Sequence, residues 1–325
     1  MTAFIIRRLM QSGAVVFVMA VIVFFGVNVI GDPIDMLINP EADQEEIDKA
    51  IRALGLDRPI GEQFIFFLKN AIRGDLGKSF IFGEPALQLI VQHMPATMEL
   101  AFFSMFLTIV IAIPLGLFAG LYPDATLSRI IMGSSILGFS LPTFWVGLMM
   151  IMVFAVMLGW LPSTGRGETA TFLGITSSIW TWDGLTHLIL PAINLALLKM
   201  ALAIRLTRAG VREAMQQDYI KFARAKGLRW GRIVRLHLLK NIMIPVITVL
   251  GLELGNTIAF SVVTESIYAW PGMGKLLIDS VLQLDRPVIV AYLIMIVLIF
   301  IFINLVVDIV YTLLDPRVRL EDRRS

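Results

Sequence analysis

Six long stretches of this chain are nearly free of charge, and they decide what it can fold into: Leu9–Ile30, Leu100–Leu121, Ile130–Leu158, His187–Ile204, Asn241–Val263 and Val288–Val307. A hydrocarbon layer is crossed by about 20 mostly apolar residues of helix, and a helix satisfies its own backbone where no water can. The first three stretches contain no charged residue at all. Over the whole chain only 16% of residues are charged, against about a quarter in a soluble domain. The sequence therefore predicts an all-α polytopic membrane protein with six transmembrane helices. The third stretch is long enough to tilt, or to bend at Pro142.

Arg7 and Arg8 precede the first apolar run. That run is longer than the 7–15 residues usual for a cleaved signal and continues into Gly31-Asp32-Pro33, so it reads as a retained span. Lysine and arginine placement sets the orientation. The segment Val211–Lys240 holds eight Lys/Arg against Glu213 and Asp218, whereas Gly31–Met94 holds six against eleven Asp/Glu. Arg317, Arg319, Arg323 and Arg324 flank the other end. Both termini and Val211–Lys240 are thus expected on the cytoplasmic side of a bacterial inner membrane. The expected organisation is a scaffold of first span plus outer helical loop (1–94), a five-span core (95–315) carrying the cytoplasmic segment 211–240, and a short tail (316–325).

The outer loop is too long for a connector. Asn39-Pro40 followed by Glu41, Asp43, Glu45 and Glu46 reads as a helix start, and Gly55 ends it. A second helix begins near Pro59 and stops at Gly74, with Phe64, Phe67, Leu68 and Ile72 as its apolar side.

Enzyme chemistry finds little support. There is no cysteine, which removes disulfides, thiolate metal sites and thiol nucleophiles. His93, His187 and His237 lie far apart and no HExxH occurs. Gly272-Met273-Gly274-Lys275 approaches a phosphate loop but has Ala269 and Leu276 where G-x-x-x-x-G-K-[ST] needs glycine and a hydroxyl. It reads as a turn after Trp270-Pro271.

In the cytoplasmic segment Asp218 can cap a helix starting at Tyr219, and Gly227 can end it. Met215, Tyr219 and Phe222 fall on one face, and Ala223, Ala225 and Gly227 are small enough for close approach. Such a helix suits a partner's groove. Periodicity alone equally allows a basic loop resting on anionic lipid.

Motifs resolve that choice by resemblance. Asp218-Tyr219-Ile220-Lys221-Phe222-Ala223-Arg224-Ala225-Lys226-Gly227-Leu228 resembles the EAA loop of binding-protein-dependent ABC importer permeases, more narrowly the dipeptide/oligopeptide family of the B type. His237–Asn241, Glu265–Lys275, Asn304–Asp308, Asp315-Pro316-Arg317, Gly55–Pro59, Arg73–Gly77 and Pro95–Leu100 continue it through nearly the whole chain. The resemblance implies the type I ABC importer permease fold and a transport subunit without its own ATPase site. It implies coupling residues Met215, Asp218, Tyr219, Phe222, Ala223, Arg224, Ala225, Lys226 and Gly227, seated in a cleft of an ATPase. No cofactor is expected in this chain; ATP and Mg would be held by partner subunits. Implied partners are a second, C-type permease, two ATPase subunits and an extracytoplasmic solute-binding protein, besides lipid, with no nucleic acid. Di- or oligopeptide is the implied cargo; relatives that carry nickel chelates, glutathione or oligosaccharides keep those alternatives open. The chain departs from the family at Asp285-Arg286-Pro287, and at Lys199 and Glu253, where neutral residues are expected.

Lys199 and Glu253 fall near the middle of spans four and five, at depths about 3 Å apart. A charge there must be paired or face water. A buried salt bridge, a solute path lined by Lys199, Glu253, Asn256 and Ser261, and a snorkelling Lys199 are all consistent with the spacing. Glycine pairs at Gly116–Gly120 and Gly251–Gly255 predict close helix contact. An ion-coupled secondary transporter, the distant alternative, would show paired intramembrane carboxylates in repeated halves, and no repeat is visible.

Overall fold

The computed structural model describes residues 2–29 and 57–314, with side chains described for 10–26 and 57–310. The expected outer helix from Asn39 to Gly55 and the tail after Leu314 lie outside the described residues. The described residues form helices α1 (Thr2–Val29), α2 (Ile60–Ile72), α3 (Ala86–Leu121), α4 (Thr126–Ser140), α5 (Thr143–Met150), α6 (Trp182–Met215), α7 (Asp218–Ala225), α8 (Trp230–Ala259), α9 (Val262–Ile267), α10 (Met273–Leu282) and α11 (Arg286–Leu314). Strands β1 (Ala170–Phe172) and β2 (Ile175–Ser177) pair antiparallel. This hairpin is a small departure from an all-helical chain.

Four helices, α3, α6, α8 and α11, are long and apolar enough to cross a membrane. The third expected span is not one rod. Its helices α4 and α5, the latter continuing as a π-helix over Ile151–Met157, meet at 108° around Leu141-Pro142. Proline lacks the N–H that would continue the ladder and forces the preceding residue out of the helical region; Leu141 is extended, at ψ 137. Counting that broken pair once gives five, and α1 adds an apolar stretch over Met10–Gly26. The six-span expectation is compatible with this set.

The chain divides into two compact units, Met1–Ala96 with Pro271–Ile301, and Thr97–Trp270 with Phe302–Ser325. In the first, α2 starts after Pro59 and the chain leaves it at Gly74, whose φ of 80 favours a residue without Cβ. Phe64 and Phe67 of α2 pack on Phe24 of α1 with ring centres 5.2 and 5.5 Å apart. Ile72, expected on that apolar side, is instead 87% exposed. Val23, Ile289 and Val290 form a core patch with Met19, Phe67 and Leu277. Asp285 is fully buried and accepts hydrogen bonds from the Ser79 hydroxyl and the Phe80 N–H. Asp285 thus ties the loop at Ser79-Phe80 to the start of α11.

In the second unit α6 is the central helix. Gly116 and Gly120 of α3 let the two backbones approach: a Cβ on Gly116 would stand 2.7 Å from Thr207 Cβ, and one on Gly120 2.5 Å from Val211 Cβ. Gly251 of α8 likewise meets Val307 of α11. Gly116, Gly120 and Gly251 thus serve contacts within the chain. Met105, Ala112, Ala119, Ile131, Ala196, Met200, Ala203, Ile204, Val246 and Leu250 share one core where α3, α4, α6 and α8 meet.

Candidate functional site

The segment between α6 and α8 folds as a two-turn helix, α7. Asp218 and Arg224 complement the helix dipole from its first and last turns. Gly227 sits at φ 72 and its N–H donates to Arg224 O at 2.9 Å, a left-handed C-terminal stop. Asp218 is the first helical residue rather than the cap expected from sequence; Gln217 holds the cap position without a side-chain bond. The Asp218 carboxylate instead accepts from Lys221 Nζ at 2.8 Å. That hydrogen bond, then the ammonium charge, holds the Asp218 carboxyl below its ordinary range.

The faces of α7 also differ from the expectation. Ile220 and Ala223 are buried against Val211, Ala214, Ile233, Leu238 and Ile242. Ala223 therefore seats α7 on its own subunit and does not offer a close approach to a partner. Met215 also packs against this core, so the Met215–Tyr219–Phe222 stripe is split. Phe222 is 61% and Tyr219 37% exposed. Lys226 Nζ lies 4.5 Å from the centre of the Phe222 ring, and the Arg224 guanidinium 5.0 Å from that of Trp230. The outward surface is thus aromatic and cationic, with Ala225, Lys226 and Gly227 exposed beside it.

Lys199 and Glu253 do not form a direct ion pair. Lys199 is buried and its Nζ donates to Leu195 O at 3.0 Å, one turn earlier in its own helix. Glu253 is half-buried and accepts from Asn256 Nδ2 at 3.3 Å. Ser261 is fully buried, its hydroxyl turned to Glu265 at 2.8 Å and Ile258 O at 3.0 Å. Glu253 and Asn256 alone of the four present half-exposed polar side chains.

Two buried carboxylates organise the unit more than these do. Glu265 is completely buried and accepts from Thr97 Oγ1 at 2.7 Å as well as from Ser261. Glu99 holds Arg166, the Ser178 N–H at 2.8 Å and the Ser178 hydroxyl. Glu265 stood inside a quoted motif with no role assigned to it, and Arg166 carries no sequence signal that separates it from any loop arginine. Gly272 proves to be the residue before α10, and Lys275 pairs with Asp279 one turn on, at 2.5 Å.

Several helices long and apolar enough to cross a membrane, with a short helix between two of them whose outward face is aromatic and cationic, are the features of a multi-pass membrane subunit. Comparison with known proteins agrees. Residues 112–320 match the model described as binding-protein-dependent transport system inner membrane component, and residues 1–101 match the N-terminal model of the same membrane components. The chain belongs to this family of binding-protein-dependent transport permeases.

It is 37% identical over 320 residues to the oligopeptide transport system permease protein AppB of Bacillus subtilis, covering 98% of this chain and 99% of that one. The glutathione transport system permease protein GsiC of Escherichia coli K12 is 36% identical over 320 residues, with the same coverage. The dipeptide transport system permease protein DppB of Alkalihalophilus pseudofirmus is 33% identical over 332 residues, 98% of this chain and 100% of its own. Among solved structures, the inward-facing MetNI methionine ABC transporter aligns with TM-score 0.54 at 17% identity, over 70% of this chain and 97% of that one. That likeness establishes the type I importer permease fold. Membership makes this chain a transport component rather than an enzyme, and implies an ATPase and a solute-binding protein as partners.

Proposed function

We propose that this chain is the B-type permease of an ATP-driven peptide importer in the bacterial inner membrane, with both termini cytoplasmic. It pairs with a second, C-type permease and is driven by two ATPase subunits that bind ATP and Mg. A solute-binding protein delivers the peptide to its outer face. The observation that carries this reading is α7: a helix whose inner face is anchored by Ile220 and Ala223 while Tyr219, Phe222, Arg224 and Lys226 project outward. Asp218, Ala225 and Gly227 complete that contact, with Met215 and Ala223 supporting it from within. Residues 1–94 serve as scaffold and 95–315 as the moving core. Glu253 and Asn256 face the solute path, with Lys199 and Ser261 behind them. Oligopeptide and dipeptide relatives at full length support the cargo.

The test is co-purification with the ATPase together with uptake of a radiolabelled tripeptide. Deletion of Asp218–Gly227 should abolish both while the chain remains in the membrane; normal uptake after the deletion would overturn the coupling role. Glutathione is the second reading, favoured by the GsiC match. Binding of glutathione but not of peptides by the cognate binding protein would select it.

A further inference from the structure

The apolar run of α6 was expected to end at Ile204, leaving Arg205 at the cytoplasmic edge. The packing puts it deeper. Gly116 lies against Ile204 and Thr207, and Gly120 against Val211 and the Arg208 carbonyl. The uncharged run of α3 continues past Gly116 to Leu121, about 8 Å further at 1.5 Å per residue. Arg205 therefore stands well inside the inner half of the hydrocarbon layer. Its guanidinium does not turn back to the headgroups. It lies 4.8 Å from the centre of the Phe139 ring, at the far end of α4, about 20 Å along that helix from Thr126. Arg205 and Arg208 are half-buried, and the Nε atom of each is buried without a hydrogen-bond partner. Among the described residues no carboxylate pairs with either.

An arginine keeps its charge at any depth, and an unpaired charge inside a membrane must meet water or a counter-ion. The end of α4 that carries Phe139 exposes Ser140 and, just past the break, Thr143 among apolar residues, which gives water a foothold there. Lipid phosphate would suit a side chain reaching for the interface; this one reaches the other way. We infer that Arg205, with Arg208 one turn below, forms an oxyanion site on the inner half of the translocation path that receives the carboxylate of the passing solute. The inference rests on the permease reading and adds a requirement: the cargo carries a free carboxylate. The planar fork of guanidinium donors matches a carboxylate in two parallel hydrogen bonds, and Phe139 holds the Arg205 fork in place.

The test uses the assembled transporter in phosphatidylcholine nanodiscs and phenylglyoxal, a water-soluble arginine reagent, with modification read by peptide mass spectrometry. Arg205 should be labelled. N-acetyl-alanyl-alanine, at about twice its dissociation constant, should lower that labelling roughly threefold, and its C-terminal amide should leave it unchanged. Arg205→Lys, which does not react, identifies the labelled peptide. Absence of labelling, or equal protection by acid and amide, overturns the site. Labelling in the isolated chain but not in the assembled transporter would assign the guanidinium to a partner's acid and overturn it too. Loss of labelling when phosphatidylglycerol is added to the disc would assign it to lipid phosphate instead. Uptake of trialanine is measured separately: protection by the acid without trialanine uptake would remove the peptide reading and leave the carboxylate site standing.

Discussion

Arg166 and Glu99, 67 residues apart in sequence, form a largely buried ion pair, and the face of the Trp270 ring lies 5.9 Å from the Arg166 guanidinium carbon. The same carboxylate holds Ser178. One side chain of α3, about 20 Å from the start of that helix, therefore fixes the loop after α5 at two places. Removing one partner of such a pair leaves an uncompensated charge, at about 3 kcal/mol or more. Arg166→Met should lower the thermal midpoint of the purified chain far more than Arg166→Met combined with Glu99→Gln, in a double-mutant cycle completed by Glu99→Gln alone. Additive effects would show that the pair is not energetically coupled.

The α3–α6 contact gives a steric prediction. Gly120→Ala puts a methyl group 2.5 Å from Val211 Cβ, and overpacking of this kind costs about 1–3 kcal/mol. Gly231→Ala, in α8 with no atom within 4 Å of the added carbon, should be neutral or slightly stabilising. Thermal unfolding of both variants decides it; equal midpoints would refute the close approach at Gly120.

On α7 two neighbouring apolar residues should behave oppositely. Ile220→Ala removes a fully buried side chain and should cost about 2–4 kcal/mol of stability. Phe222→Ala touches a side chain that is 61% exposed and should change stability by less than about 0.5 kcal/mol. It should instead weaken ATPase co-purification and uptake. Loss of stability without loss of coupling in Phe222→Ala would reverse the assignment of faces.

Lys199 and Glu253 share no hydrogen bond, since each has its own partner in its own helix. Lys199→Met and the double variant with Glu253→Gln should therefore impair uptake to a similar degree, with an interaction energy below about 0.5 kcal/mol. Clear rescue in the double variant, at matched membrane abundance, would demonstrate a tight pair.

Element identity was legible where punctuation is unambiguous. Pro59 and Gly74 bound α2, Gly227 ends α7, and Pro142 marks the break after α4, although the size of that turn depends on how α5 packs onto α6. What could not be read were choices between two plausible faces. In α7, Ile220/Ala223 and Tyr219/Phe222 both make apolar stripes, and only the cluster around Val211 and Ile242 decides which turns inward. The β-hairpin was missed because its turn is Leu173-Gly174, with leucine at φ 50, where Asn-Gly would have announced it. Arg205 was missed because an apolar window stops at the first charge, while membrane depth is set by the neighbouring helix.

The joint between α6 and α7 is two residues long, Gln216 and Gln217. A 34-residue helix is about 51 Å from end to end, and so short an elbow leaves almost no slack. In the proposed importer α7 and the far end of α6 are therefore the two ends of one lever: a tilt of about 10° at α7 sweeps the opposite end through roughly 9 Å, a stroke comparable to the width of a peptide.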